Sequence, residues 1–179
     1  MPLKAKLAAW HASISKDDPT AKYQAALYGG NARRGRKIFF EKSETSCRRC
    51  HQVGNMKPTD PNVMAGPDLS DVGNRRDRAY LLRSIVAPNA EITEEFQDWL
   101  IETTDDDVYR GRILSENAKE LVIEVKEFGE PVEKVTVKKT DIGFRKREKS
   151  PMPEDVVTKL KTAELRDLVE FLSTRKIKN

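Results

Sequence analysis

Two cysteines, two histidines and no long apolar run mark what this chain lacks. No stretch reaches the ~18 consecutive apolar residues of a membrane-spanning helix, which excludes such a span. The opening MPLKAKLAAWHASISKDD is not a secretory signal, because its short apolar stretch is broken by His11 and Lys16. An exported protein would therefore have its signal removed or placed upstream, and the ordinary domain start after Met1 suggests a piece of a longer protein. There is no second C-x-x-C and no H-x-x-x-H. There is also no internal repeat and no low-complexity segment, which sets repeat architectures aside. Apolar residues are scarce, at 37% against 35% charged, where about half is usual. Either part of the chain is a polar extension, or something other than side chains fills a core. Charge of one sign is not blocked either. The net charge is +4, and only Arg33, Arg34, Arg36 and Lys37 cluster, whereas nucleic-acid binders concentrate Lys and Arg on one element. No nucleic-acid partner is expected.

A length of 179 residues suits one domain or two small ones. Leu3, Leu7, Trp10 and Ile14 predict a short amphipathic helix, and AKYQAALY a second, stopped by Gly29 and Gly30. Asn31 reads as the N-cap of ARRGRKIFFEK. In that helix Gly35 is costly, and close approach of another helix would be a reason to tolerate it. Residues 52–74 read as a long loop, unusual unless it wraps something. RRDRAYLLRSIVA then predicts a helix with Tyr80, Leu81, Leu82, Ile85 and Val86 on its apolar side, ended by Pro88. From about residue 96, FQDWLIET, VYRGRILS, ELVIEVKE and EKVTVKKT alternate apolar and polar residues, predicting four or five short antiparallel strands. Trp99 is expected in the core of that block. Helix returns after SPMPED, with Thr162 as cap and Leu165, Leu168, Val169 and Leu172 as the buried stripe.

The stretch SCRRCHQ holds both cysteines, Cys47 and Cys50, followed directly by His51. Three readings compete. C-x-x-C-H is the spacing of c-type haem attachment. Two thiols three positions apart reach two vinyl groups on one side of a porphyrin, and the adjacent imidazole donates a nitrogen to iron. A buried macrocycle would also supply the missing core. Zinc needs four ligands, and beyond these three the chain offers His11 and carboxylates. A thioredoxin-like dithiol follows a central strand, whereas here a helix and the polar turn EKSETS come first.

Haem iron takes a ligand on its opposite face unless it is a catalytic or gas-binding centre. The candidates are Met56, Met64, Met152 and His11. Met56 and Met64 lie just after His51, where the chain would hold them on the same face. Met152 sits between two prolines in SPMP, and topology favours it. The other imidazole nitrogen needs an acceptor, for which the Pro67 carbonyl in GPDLS is a candidate, with Leu69 covering the porphyrin edge. Arg75, Arg76 and Arg78 are either propionate partners or solvated surface arginines, the latter being the default.

GRKIFFEKSETSCRRCHQ, GPDLS, SPMP and ELRDLVEFL, in that order, resemble the landmarks of class I c-type cytochromes. YLLRSIVAPNAEI, the inserted strands and SPMP are similar, more closely, to the C-terminal haem-binding domain family of planctomycete-type bacteria. The likeness runs from about residue 29 to 174. It implies that Gly35 and Phe39 cross the last helix near Phe171, that His51 and Met152 are the axial ligands, and that Pro67 is the carbonyl partner of His51. It implies a mainly α cytochrome c fold with a small antiparallel β-sheet or barrel, SH3-like or Sm-like, inserted between the mid-chain helix and the distal-methionine loop. The expected divisions are a helical extension over 1–28, a haem domain over 29–95 and 149–179, and a β insertion over 96–148.

The function expected from this is single-electron transfer, not enzymatic turnover, by a module with one covalently bound haem c. Its site residues are Cys47, Cys50, His51, Pro67, Leu69 and Met152, with iron held by His51 and Met152. The expected partners are a dehydrogenase-like donor and another cytochrome or oxidase, in the periplasm or another exported compartment. The alternatives are a five-coordinate haem enzyme or gas sensor, and a binding module whose β insertion recognises a partner.

Overall fold

A computed structural model describes residues 2–13, 17–59, 66–125 and 131–176, without the side chains of residues 3, 7, 10, 11 and 13. The chain is mixed α and β, not the mainly α cytochrome c fold expected from the resemblance. Helices α1 (Leu3–Ser13), α2 (Ala32–Glu41), α3 (Cys47–Cys50), α4 (Val72–Arg75), α5 (Arg78–Val86) and α6 (Thr162–Ser173) share the chain with five strands. These are β1 (Asp98–Thr103), β2 (Val108–Glu116), β3 (Glu120–Val125), β4 (Glu133–Lys138) and β5 (Ile142–Arg147). They form one antiparallel sheet in the order β4-β3-β2-β1-β5, with β4 and β5 at its two edges rather than joined as a barrel. The physical reason is that the strands do not decorate a helical core. They build a second one from Ile101, Leu121, Ile123 and Val137, separate from the larger cluster of the helical part. Dividing a thin apolar supply between two cores leaves the sheet's own cluster small among the described residues.

The helical core is organised by the crossing of α2 and α6. Asn31 accepts the Arg34 N–H at 3.0 Å and starts α2. A Cβ on Gly35 would lie 1.9 Å from the Asp167 carbonyl oxygen, so only glycine allows the two backbones to meet there. One turn on, Phe39 packs on Phe171 with ring centroids 5.7 Å apart. Burying each ring contributes roughly 2–3 kcal/mol, and the tilted pair adds about 1 kcal/mol. The buried Asp167 carboxylate accepts from Asn31 N–H and Arg34 Nε, each at 2.6 Å. Burial alone would raise its pKa, but the bonds from Arg34 and Asn31 outweigh burial and hold it below the usual 3.8. Leu165, Leu168, Val169 and Leu172 form the inner stripe of α6.

Several elements differ in detail from the sequence pattern. Ala21–Ala26 is a 3₁₀ helix, since so short a run hardly supports an α nucleus. Asp77 caps α5 by accepting the Tyr80 N–H at 2.8 Å, which starts that helix after the arginine pair. Thr162 is the first residue of α6 rather than its cap. Glu164 reaches back to the Lys161 N–H at 2.8 Å and also takes Lys42 Nζ at 3.0 Å, placing a carboxylate at the positive end of the helix. The apolar positions Leu3, Leu7, Trp10 and Ile14 lie outside the described side chains.

In the sheet, Trp99 packs against the second core, and its ring carries Arg145 at 4.1 Å and Arg147 at 5.1 Å. The chain enters and leaves the sheet side by side. Buried Gln97 donates from Nε2 to the carbonyls of Asp98 (2.7 Å) and Glu148 (2.9 Å), and Glu148 N–H donates to Asp98 O at 2.8 Å. This neck returns the chain beside the end of α5.

Two outcomes follow. Gly35→Ala should destabilise the helical part by about 3 kcal/mol or more, measured by chemical denaturation; unchanged stability would contradict the crossing. Hydrogen bonds from Arg145 and Lys139 hold the Glu116 carboxyl down to about 2, against 4.5 unfolded. The depressed value gives stability above the unfolded pKa that is lost as pH falls from 4.5 towards about 2. Glu116→Gln should flatten this acid limb in thermal melts.

Candidate functional site

The two cysteines open and close α3, a single turn. The chain enters it through Ser46 in the left-handed region, with φ 46°, a conformation unfavourable for a residue with a Cβ. The His51 N–H donates to Cys47 O at 3.1 Å and closes the turn. Neither cysteine is in a disulfide. Cys47 packs against the helical core, and burial pushes its thiol up, a Thr45 hydrogen bond opposing in part. A thiol held protonated is unlike the low-pKa attacking thiol of a redox dithiol.

His51 leaves the turn in extended conformation, and its Nδ1 lies 3.0 Å from Pro67 O. A carbonyl oxygen only accepts, so Nδ1 carries the proton and Nε2 presents its lone pair. Burial pushes the imidazole below its usual 6.5, with the Pro67 bond opposing, so the ring is neutral at neutral pH. Gly66 completes the cradle. A Cβ there would sit 2.4 Å from His51 Cε1, so the backbone lies flat against the ring. Leu69 is tied back by its N–H to Gln52 O at 2.9 Å and packs against the helical core.

Met152 is half-buried and packs against the same core as Cys47 and Leu69. Its N–H donates to Ser150 Oγ at 3.2 Å. Met56, by contrast, is bound in a tight turn with Val53 immediately after His51. Met64 and the His11 side chain lie outside the described residues. The arginines near α5 have protein partners. Arg75 binds Asp71 and the Asp68 carbonyl, Arg76 lies 4.2 Å from the Tyr80 ring centroid, and Arg78 reaches Glu170 at 2.7 Å and Leu27 O at 3.1 Å. In the basic cluster of α2, Arg34 is taken up by Asp167 and Arg36 stacks at 4.9 Å on Phe40.

Among the described residues no three His, Cys, Asp or Glu side chains gather as a metal-holding group. No helix among them is long and apolar enough to cross a membrane. Gly66 and Asn89 were not singled out from the sequence. Gly66 immediately precedes Pro67, and that adjacency was the available signal; Asn89, which holds the Met152 loop, carried none. No protein-family model matches the chain, and no curated protein matches it.

Gly66→Ala should push the imidazole off Pro67 O and cost about 1–3 kcal/mol in denaturant unfolding. Nitrogen NMR of His51 should show loss of the single Nδ1–H tautomer; an unshifted ring would contradict the cradle.

Proposed function

We propose that this chain holds one haem c through thioether bonds from Cys47 and Cys50, with His51 and Met152 as axial ligands, and passes single electrons between protein partners. The observation that carries this reading is the His51 Nδ1 to Pro67 O hydrogen bond. It leaves a neutral imidazole with its Nε2 lone pair at the end of the turn that bears both cysteines. The donor set fits in kind. Two thiols outside any disulfide flank one turn, an oriented imidazole follows, a glycine presses on that imidazole, and a thioether borders the same hydrophobic cluster. These residues need no mainly α fold to act together, since α3, the 66–69 segment and the loop before α6 all meet that cluster.

Bound haem supplies a one-electron ferric/ferrous couple. The chain's own residues set its terms. Pro67 and Gly66 fix the plane and tautomer of His51, which keeps its donor nitrogen aimed without rearrangement. A thioether from Met152 paired with the His51 imidazole would raise the potential. With both residues holding the iron, no place would be left for substrate, and the chain would act as a carrier rather than a catalyst. Leu69 and the surrounding apolar residues exclude water, which further tunes the potential. Partners on this reading are a dehydrogenase-like donor and another cytochrome or an oxidase, met in an exported compartment where thioether ligation takes place.

Protein matured in such a compartment should give a c-type pyridine haemochrome, a near-red methionine-to-iron band when ferric, and no carbon monoxide uptake when ferrous. Met152→Ala should lose the band and take up carbon monoxide. A wild-type protein that binds carbon monoxide as readily would favour an open, catalytic or gas-binding centre and overturn the proposal.

A further inference from the structure

The loop carrying Met152 has little structure of its own. Residues 148–153 form neither helix nor strand, and the flanking prolines at 151 and 153 have no N–H to contribute. What holds the loop comes from elsewhere in the chain. Asn89 lies in the turn that follows α5, and its side-chain amide grips the loop at two points. Asn89 Oδ1 accepts the Ser150 N–H at 2.7 Å, and Asn89 Nδ2 donates to Glu154 Oε1. A backbone N–H can only donate and a carboxylate can only accept, so this amide orientation is the one both partners demand. Ser150 and Glu154 stand two residues before and two residues after Met152. Ser150, held in this way, passes the constraint inward by accepting the Met152 N–H at 3.2 Å on its hydroxyl.

We infer that Asn89 is the positioning residue for Met152, clamping the loop on both sides so that the thioether stays on the helical core. This rests on Met152 being the distal ligand. The clamp acts through the competition between Met152 and any outside ligand for the distal position. A loop held at both ends pays little further entropy when the thioether binds, whereas a loop released at one or both ends pays more. Releasing it therefore makes the position easier to take. Lys149 Nζ, 3.4 Å from Glu154 Oε1, is a looser, exposed contact on the same carboxylate.

The experiment uses the full haem-loaded chain and titrates the ferric form with imidazole as the competing ligand. Asn89→Ala should keep the haemochrome and the near-red methionine band but bind imidazole about tenfold more tightly, as expected for two lost hydrogen bonds. Glu154→Ala, an exposed change that removes one grip only, should shift the same affinity in the same direction by a few-fold. In a Met152→Ala background Asn89→Ala should have no further effect, because there is then no thioether to position. A merely structural role would change imidazole affinity equally in both backgrounds, and that result overturns the inference. So does an imidazole affinity in both Asn89→Ala and Glu154→Ala within twofold of wild type. A wild-type protein with haem but no methionine band sinks the axial assignment itself, a failure read before any variant is made.

Discussion

The contact between the backbone of Gly35 and the carbonyl of Asp167 is the constraint on which the rest of the helical part depends. Because no Cβ stands between them, α2 and α6 meet closely enough for Phe39 and Phe171 to share a core. The same junction is locked by the Asp167 carboxylate, which draws in Asn31 and Arg34 from the start of α2. With α2 fixed at its beginning and its middle, its far end delivers the chain through Ser46 into the single turn that carries the cysteines. The position of Cys47 against the core is thus a consequence of a helix crossing twelve residues earlier.

Separated pieces of chain then meet the hydrophobic cluster that Cys47 borders. The 66–69 segment brings a glycine and a carbonyl to His51 and a leucine to the cluster. The end of α5 brings Asn89, and the chain returning from the sheet brings Ser150, Met152 and Glu154. The neck at Gln97 makes the last convergence possible, because it returns the polypeptide from the sheet to the place where it left. The sheet can therefore carry its own core without pulling the methionine loop away from the helical part.

Local features were legible in the sequence where the signal was itself local. The Asn31 cap, the stripe of α6 and the alternation of β1 to β4 each depend on neighbours a few residues away. Strand β5 was not spelled out, because IGFRKR carries only two apolar residues and lies at a sheet edge, where one side of the strand needs no partner. Threonine favours the cap position, yet the N-cap is Lys161, one residue before Thr162, with its own N–H taken by the Glu164 carboxylate. The fold class was misjudged for a related reason. The landmarks from Gly35 to the last helix imply a mainly α fold with a small insertion, whereas residues 98–147 form a five-stranded sheet with a core of its own. Asp167 and Asn89 were invisible because their roles exist only through partners 61 or more positions away in sequence. Pro67, by contrast, could be named because an imidazole needs an acceptor on its second nitrogen, and its carbonyl lies 3.0 Å from His51 Nδ1.

On the proposed reading, these arrangements would gain functional meaning from one covalent event, the joining of a porphyrin to both sulfurs of α3. Intact-mass spectrometry of the chain, produced in a host able to ligate haem and then denatured, tests it most directly. The account predicts the polypeptide plus one haem, resistant to acid and organic extraction, with the addition lost when Cys47 and Cys50 are both replaced by alanine. A mass equal to the bare polypeptide, from a host that matures other c-type proteins normally, would contradict it.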